Sequence, residues 1–269
     1  MIKQRILTAL VLAVAVLGAV FLLPLNLFAL GAGAVVVIGA REWGNLAALT
    51  GLAQWLYALG VAVVLLLLYQ VPRDGILPWV LSGALLFWLW ACYLILRYPR
   101  GRGFHGRNLR LLIGLAVLVP TWLALVGLKA HPSGSLALLL LLALVWGADT
   151  GAFCAGKLLG RHKMIPAVSP GKTVEGLLGG LATCMLLGIL MGFWRELPPQ
   201  EMVYLVALSL LTCLAAVFGD LFESLFKRER GVKDSGALLP GHGGILDRID
   251  SLTAAAPVFL LGLYWLPVL

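Results

Sequence analysis

The sequence is dominated by apolar runs, each about as long as a helix that crosses a lipid bilayer. These runs cover residues 5–23, 26–43, 52–70, 76–96, 110–128, 135–155, 175–194, 202–226 and 246–267. Because about 20 apolar residues in a helix span the hydrocarbon core, we predict an all-α, polytopic membrane bundle of about nine transmembrane helices. Only 12% of the 269 residues are charged, which excludes a soluble globular domain, a disordered chain and a coiled coil.

The basic residues predict how this bundle lies in the membrane. Nine spans put all of the 20 Lys and Arg residues except Arg73, Lys129 and Arg195 on the same side as the N-terminus. The positive-inside rule makes that side cytoplasmic, so we expect a multi-pass protein of a bacterial-type inner membrane. The net charge of +8 then reflects topology and contact with membrane lipids, and we expect no binding of nucleic acid.

The 12 acidic residues are distributed unevenly along the chain. Glu42 and Glu229 adjoin arginines near helix ends and are interpreted as surface ion pairs. Seven others lie at the cytoplasmic side of the last four predicted spans, where carboxylates within apolar sequence are expensive and indicate a functional site. These seven are Asp149, Glu175, Asp220, Glu223, Asp234, Asp247 and Asp250.

Two pairs of carboxylates have the spacing of neighbours on one helix face. Asp220 and Glu223 are three residues apart, as are Asp247 and Asp250. The glycine-rich residues 240–244 would let the two helix ends face each other. Four converging carboxylates need cations, and oxygen ligands suit Mg²⁺.

Basic residues are interleaved with these acids and suit phosphate groups. They are Lys227, Arg228, Lys233 and Arg248. Acids and bases together therefore predict a site for a metal-bound polyphosphate. The alternative is a set of ion pairs at helix ends within the protein.

A second polar block, residues 169–176, precedes the seventh span. Its Gly171, Lys172 and Thr173 look like the end of a phosphate-binding loop, but position 166 is Pro where that motif needs glycine, so we exclude it. A helix N-terminus with a lysine is an anion site; the alternative is an ordinary helix start capped by Ser169 or Thr173. Asp149 is a lone carboxylate within an apolar span, either functional or hydrogen bonded between helices.

The stretch from residue 224 to residue 250 reads SLFKRERGVKDSGALLPGHGGILDRID. It resembles the signature of the phosphatidate cytidylyltransferase family, also called CDP-diacylglycerol synthases, and residues 149–153 and 169–176 resemble that family too. The resemblance covers about 145–252. It implies a nucleotidyltransferase that transfers CMP from CTP to phosphatidate and releases pyrophosphate, with Mg²⁺ and a monovalent cation such as K⁺ as cofactors.

The resemblance also implies roles for residues. The implied catalytic residues are Asp220, Asp247, Lys233 and Asp250, and the implied metal ligands are Asp220, Glu223, Asp247 and Asp250. Contacts to CTP or to the lipid phosphate are implied for Ser169, Lys172, Thr173, Glu175, Lys227, Arg228, Asp234, His242, Arg248 and Asp149.

The chain is expected to have two parts. Residues 1–130 would form five spans of unknown role, residues 131–269 would form the catalytic region, and a homodimer is expected from the resemblance alone. One alternative function is another lipid-linked phosphotransferase. The other is an ion-coupled transporter, which the gathering of acids at one face and in one half of the chain disfavours.

Overall fold

The computed structural model describes residues 2–99, 106–238, 241, 243–265 and 269. Within them the chain forms nine helices and one hairpin of two strands. The first five helices are α1 (Ile2–Leu22), α2 (Leu25–Leu46), α3 (Leu52–Gln70), α4 (Arg73–Arg97) and α5 (Arg107–Ala130). They are followed by α6 (Gly134–Leu159), β1 (Lys163–Ile165), β2 (Ser169–Thr173), α7 (Val174–Trp194), α8 (Pro199–Arg230) and α9 (Leu246–Trp265).

The helices confirm the predicted all-α membrane bundle. Each helix overlaps one predicted span, and seven of those described, α2 to α8, are long and apolar enough to cross a membrane. The described apolar part of α1, Thr8–Leu22, is shorter, and α9 is not among the seven. Crossing by α1 and α9 therefore stays a prediction.

The outer surface of the bundle carries large apolar side chains. Leu22 is 81% exposed, Leu158 80% and Trp79 79%. A water-soluble protein would rarely leave so many of these groups in contact with solvent. The surface is that of a multi-pass membrane protein.

The interior joins the two halves of the chain through aromatic rings. Trp43 of α2 lies 5.0 Å from Phe226 of α8 between ring centroids. Phe222, one turn earlier in α8, packs edge-on against Phe226 at 5.1 Å and against Trp88 of α4 at 5.5 Å. Helices of the N-terminal half therefore form the packing beneath the polar end of α8.

Helices α6 and α7 touch through their backbones. A Cβ atom at Gly176 would lie 3.0 Å from the carbonyl oxygen of Ala152, and one at Gly180 would lie 3.0 Å from that of Ala148. Glycines at these positions permit the close approach, as small residues do in membrane helix pairs. The approach brings Asp149 of α6 towards the polar block before α7.

The polar block folds as part of a short antiparallel hairpin. Lys163 of β1 is opposite Thr173 of β2, and Ile165 is opposite Ser169. The sequence predicted no strand here, because strands of three and five residues are too short to show a period. Thr173 also caps α7, since its hydroxyl oxygen accepts a hydrogen bond from the Gly176 N–H at 3.1 Å.

Candidate active site

Helices α8 and α9 meet at Gly219, directly beside the carboxylates that the sequence singles out. A Cβ atom there would lie 2.5 Å from the backbone oxygen of Asp250. Only glycine allows the two helices to come this close. The contact brings Asp220 and Glu223 of α8 next to the first turn of α9, as their spacing predicted.

Lys227 of α8 links the two helices through an ion pair with Asp247 of α9. Its ammonium nitrogen lies 2.8 Å from Asp247 Oδ1 and 3.2 Å from Glu223 Oε1. The Glu223 carboxylate is 2% exposed, and neither of its oxygens makes a hydrogen bond within the described residues. One ammonium group therefore faces two nearly buried carboxylates.

The Asp247 carboxylate is held from the other side by the segment before α9. Its Oδ2 accepts hydrogen bonds from the Ser235 N–H at 3.0 Å, the Ser235 hydroxyl at 3.0 Å and the Gly244 N–H at 2.8 Å. With Lys227 on Oδ1, this side chain is fixed in position.

A second lysine–carboxylate pair is built by the hairpin. Strand β2 places Lys172 Nζ 2.7 Å from Asp220 Oδ2, and the hydroxyl of Ser224 donates to Asp220 Oδ1 at 3.2 Å. Lys172 also donates to the Val217 carbonyl at 3.3 Å. Two cations and their carboxylate partners thus line the same face of α8.

A cavity of about 360 Å³ adjoins the Lys172–Asp220 pair. It is enclosed by α6, the hairpin, α7 and α8, and its lining residues include Asp149, Phe153, Gly156, Lys157, Met164, Gly171, Lys172, Thr173, Gly176 and Val217. Asp149 and Lys172 lie on the wall of the same cavity. Asp149 therefore lies beside the Lys172–Asp220 pair, and its functional role stays a prediction.

Several predicted residues hold the hairpin in place. The Glu175 carboxylate accepts from His162 Nδ1 at 2.6 Å and from the His162 N–H at 3.2 Å. Arg228 Nε donates to the Val168 carbonyl at 3.1 Å, which ties α8 to the turn of the hairpin. Together with the Thr173 cap, these bonds position Lys172, and contact of these residues with phosphate stays a prediction.

The remaining predicted residues lie outside the two lysine–carboxylate pairs. Lys233, Asp234 and Arg248 are exposed, and Asp234 packs beside Gly243. Ser169 is half-buried at the start of β2. His242 lies outside the described residues.

The interpretation of Glu42 as a surface ion pair is wrong. Glu42 is only 4% exposed, and its carboxylate accepts hydrogen bonds from Ile245 N and Leu246 N at the start of α9. Its position inside a predicted apolar span, like that of Asp149, was the available signal, but the adjacent Arg41 suggested a surface pair. Glu229 does pair with an arginine, Arg110 of α5, at 3.5 Å.

The donor atoms where α8 meets α9 fit the predicted Mg²⁺ in part. In the described part of the chain, no group of three or more His, Cys, Asp or Glu side chains forms a ready set of metal ligands. Lysines occupy one oxygen each of Asp220 and Asp247. However, both Glu223 oxygens lack a hydrogen bond within the described residues, and the carboxylates of Glu223 and Asp247 share the single ammonium group of Lys227. Oxygen donors that repel one another fit a hard cation such as Mg²⁺.

Fold and site together define a class: a polytopic helical membrane protein with a polar, acid-and-lysine site at its helix ends. Comparison with known proteins makes this class specific. A family model described as the cytidylyltransferase family matches residues 3–266. The chain belongs to this family of nucleotidyltransferases, which confirms the resemblance seen in residues 224–250.

Curated relatives match along nearly their whole length. The chain is 46% identical to a phosphatidate cytidylyltransferase of Pseudomonas aeruginosa over 261 residues, which cover 96% of each protein. It is 38% identical to one of Haemophilus influenzae over 280 residues, which cover 96% of this chain and 97% of the relative. It is also 34% identical to one of Synechocystis sp. over 297 residues, or 99% and 98% of the two chains.

Proposed function

We propose that this chain is a phosphatidate cytidylyltransferase, which converts CTP and phosphatidate into CDP-diacylglycerol and pyrophosphate. The observation that carries the proposal is the convergence of the Lys172–Asp220 and Lys227–Asp247 pairs where α8 meets α9. Both substrates bring phosphate groups, which need cations around them. The names and full-length matches of the curated relatives support the same activity.

The reaction needs positioning more than proton transfer. An oxygen of the phosphatidate phosphate forms a bond to the α-phosphorus of CTP, and the bond from that phosphorus to the α–β bridging oxygen breaks. Pyrophosphate leaves with the electron pair of the broken bond. Because the attacking phosphate is already an anion, no strong general base is required, and catalysis rests on alignment and charge neutralisation.

The two lysines supply the positive charge on the protein side. Lys172 lies at the wall of the cavity of about 360 Å³, and Lys227 lies between α8 and α9. Both hold carboxylates in the described structure, and both are proposed to bind phosphate. Ammonium groups neutralise triphosphate charge as point cations.

The carboxylates are the proposed Mg²⁺ site. Asp220, Glu223, Asp247 and Asp250 would hold the ion, with a monovalent cation such as K⁺ as the proposed second ion. Bound there, Mg²⁺ would neutralise charge on the triphosphate and on the leaving pyrophosphate. Glu223 supports this assignment, because its carboxylate is paired with Lys227 at 3.2 Å but makes no hydrogen bond within the described residues.

The proposed orientation puts the site at the cytoplasmic face of an inner membrane. CTP would reach the helix ends from the cytoplasm, and phosphatidate would arrive from the bilayer. Phe153, which lines the cavity, is 66% exposed at the side of the bundle. A homodimer remains an expectation from the resemblance.

The proposal is tested with purified protein in detergent, CTP, phosphatidate and Mg²⁺, by measuring CDP-diacylglycerol. We expect product from the wild type and a loss of about 100-fold or more in Asp220→Asn, because a charged group at the reacting phosphates is removed. Glu196→Gln is the control, since Glu196 is exposed in the loop between α7 and α8. No product from the wild type, or full activity in Asp220→Asn, contradicts the proposal.

A further inference from the structure

Glu42 of α2 is a buried carboxylate that contacts Ser235 and the residues at the start of α9. Its Oε2 accepts from the Leu246 N–H at 2.8 Å and lies 3.2 Å from the Ser235 hydroxyl oxygen, and its Oε1 accepts from the Ile245 N–H at 3.1 Å. The side chain is 4% exposed. It therefore binds a segment that is about 200 residues later in the sequence.

Two glycines of this segment pack directly against the Glu42 carboxylate. A Cβ atom at Gly236 or at Gly244 would collide with the carboxylate of Glu42. Glycines at both positions leave room for the two oxygens. The N–H groups that Glu42 binds are at the start of α9, where a helix has unpaired donors and a positive dipole end. Glu42 thus caps α9 from another helix.

The same segment holds Asp247. The Ser235 hydroxyl lies between the two carboxylates, 3.2 Å from Glu42 Oε2 and 3.0 Å from Asp247 Oδ2. Gly244, which packs on Glu42, donates its N–H to Asp247 Oδ2 at 2.8 Å. A shift of this segment would therefore move Asp247, and Lys227 is bound to Asp247 at 2.8 Å.

We propose that Glu42 is a positioning residue, which fixes Ser235 and residues 244–246 so that Asp247 and Lys227 are correctly placed for the nucleotide. The inference rests on the proposed cytidylyltransferase function. It gives α2, in the N-terminal half, a direct role in the site. The negative charge of Glu42 matters as much as its shape, because the Ile245 and Leu246 N–H groups donate to it at the positive end of the α9 dipole.

The experiment compares Glu42→Gln, Glu42→Asp and Ser235→Ala with the wild type and with Glu196→Gln as the matched exposed control. The KM for CTP, kcat, and hydrogen–deuterium exchange of peptides covering 235–246 are measured in detergent. We expect Glu42→Gln to raise the KM for CTP about tenfold, the effect of losing about one charge-assisted hydrogen bond. Exchange of residues 235–246 should accelerate about tenfold, because the segment opens more easily.

Two further results are expected of a positioning role. Glu42→Asp keeps the charge, so its KM for CTP should lie between those of the wild type and Glu42→Gln. Ser235→Ala should also raise the KM for CTP, although Glu42 is intact. Glu196→Gln should match the wild type. If Glu42→Gln does not fold, Ser235→Ala decides by the same two measurements.

Two outcomes overturn the inference. One is a KM for CTP within about twofold of wild type, even if kcat falls, since loss of folded protein lowers kcat and leaves KM unchanged. The other is an altered KM with wild-type exchange in 235–246. An inactive wild type would instead contradict the proposed function, and the exchange measurement would still test the contact with Glu42.

Discussion

The two lysines of the site differ in how deeply their carboxylate partners are buried. Lys172 and Asp220 keep 26% and 28% of their side-chain surface exposed. Lys227 and Asp247 keep 11% and 6%, and Glu223 keeps 3%. A partly exposed pair adds at most about 1 kcal/mol to stability, whereas removing the cation from buried carboxylates costs about 3 kcal/mol.

This difference in burial predicts that replacing either lysine lowers activity, but that only replacing Lys227 lowers stability markedly. Lys172→Met and Lys227→Met should each reduce CDP-diacylglycerol formation at least about tenfold, because each removes a cation from the phosphate site. Only Lys227→Met should lower the thermal midpoint markedly in detergent, because it leaves Glu223 and Asp247 buried without a counter-charge.

Thermal unfolding and product formation are measured side by side, with Lys163→Met as the control, since the side chain of Lys163 is exposed. Equal thermal midpoints for Lys172→Met and Lys227→Met would contradict the difference in burial.

At the residue scale the sequence identified the charged groups but not all their partners. Asp220 and Glu223, and Asp247 and Asp250, were predictable as neighbours because helix periodicity is a local property. The ion pair between Lys172 and Asp220 joins residues 48 positions apart, and the bonds from Glu42 reach α9. Such contacts depend on packing between distant segments, which spacing along the chain does not encode.

At the scale of elements, the contact between α8 and α9 decides whether the acids meet. The helices approach at Gly219, where a Cβ would lie 2.5 Å from the Asp250 carbonyl oxygen. The start of α9 was predicted correctly at residue 246, whereas α8 covers Pro199–Arg230 and extends beyond the predicted 202–226 at both ends. The hairpin was not, because its strands are short and contain polar residues.

Gly219→Ala should therefore separate α8 from α9. We expect a loss of about 2 kcal/mol in stability, typical of an overpacked interface, and a lower rate of CDP-diacylglycerol formation. Gly60→Ala in α3 is the matched control, because a Cβ there meets nothing within 4 Å and alanine favours the helix. Thermal unfolding of both variants tests this, and a Gly219→Ala protein as stable and active as Gly60→Ala would contradict the contact.

At the scale of the whole molecule, the N-terminal half is part of the site's support. Trp43 of α2 and Trp88 of α4 pack around Phe222 and Phe226 of α8. Helix α5 packs against α9. The number of helices in the described residues could be predicted from hydropathy, but the role of the first five could not, because apolar sequence carries little information about which helices touch.

These contacts predict the behaviour of the chain when it is divided in the turn between α5 and α6. Residues 131–269 contain the predicted catalytic residues but lack Glu42, Trp43 and the face of α5 that covers α9. Expressed alone in membranes, this fragment should form CDP-diacylglycerol at least about tenfold more slowly than the whole chain, because Asp247 and Lys227 lose their support. Co-expression with residues 1–130 should restore activity and allow the two fragments to be purified together. The same co-expression with Asp220→Asn in the larger fragment serves as the inactive control. Full activity of residues 131–269 alone would show that the catalytic region is independent, and it would also remove the basis for a role of α2.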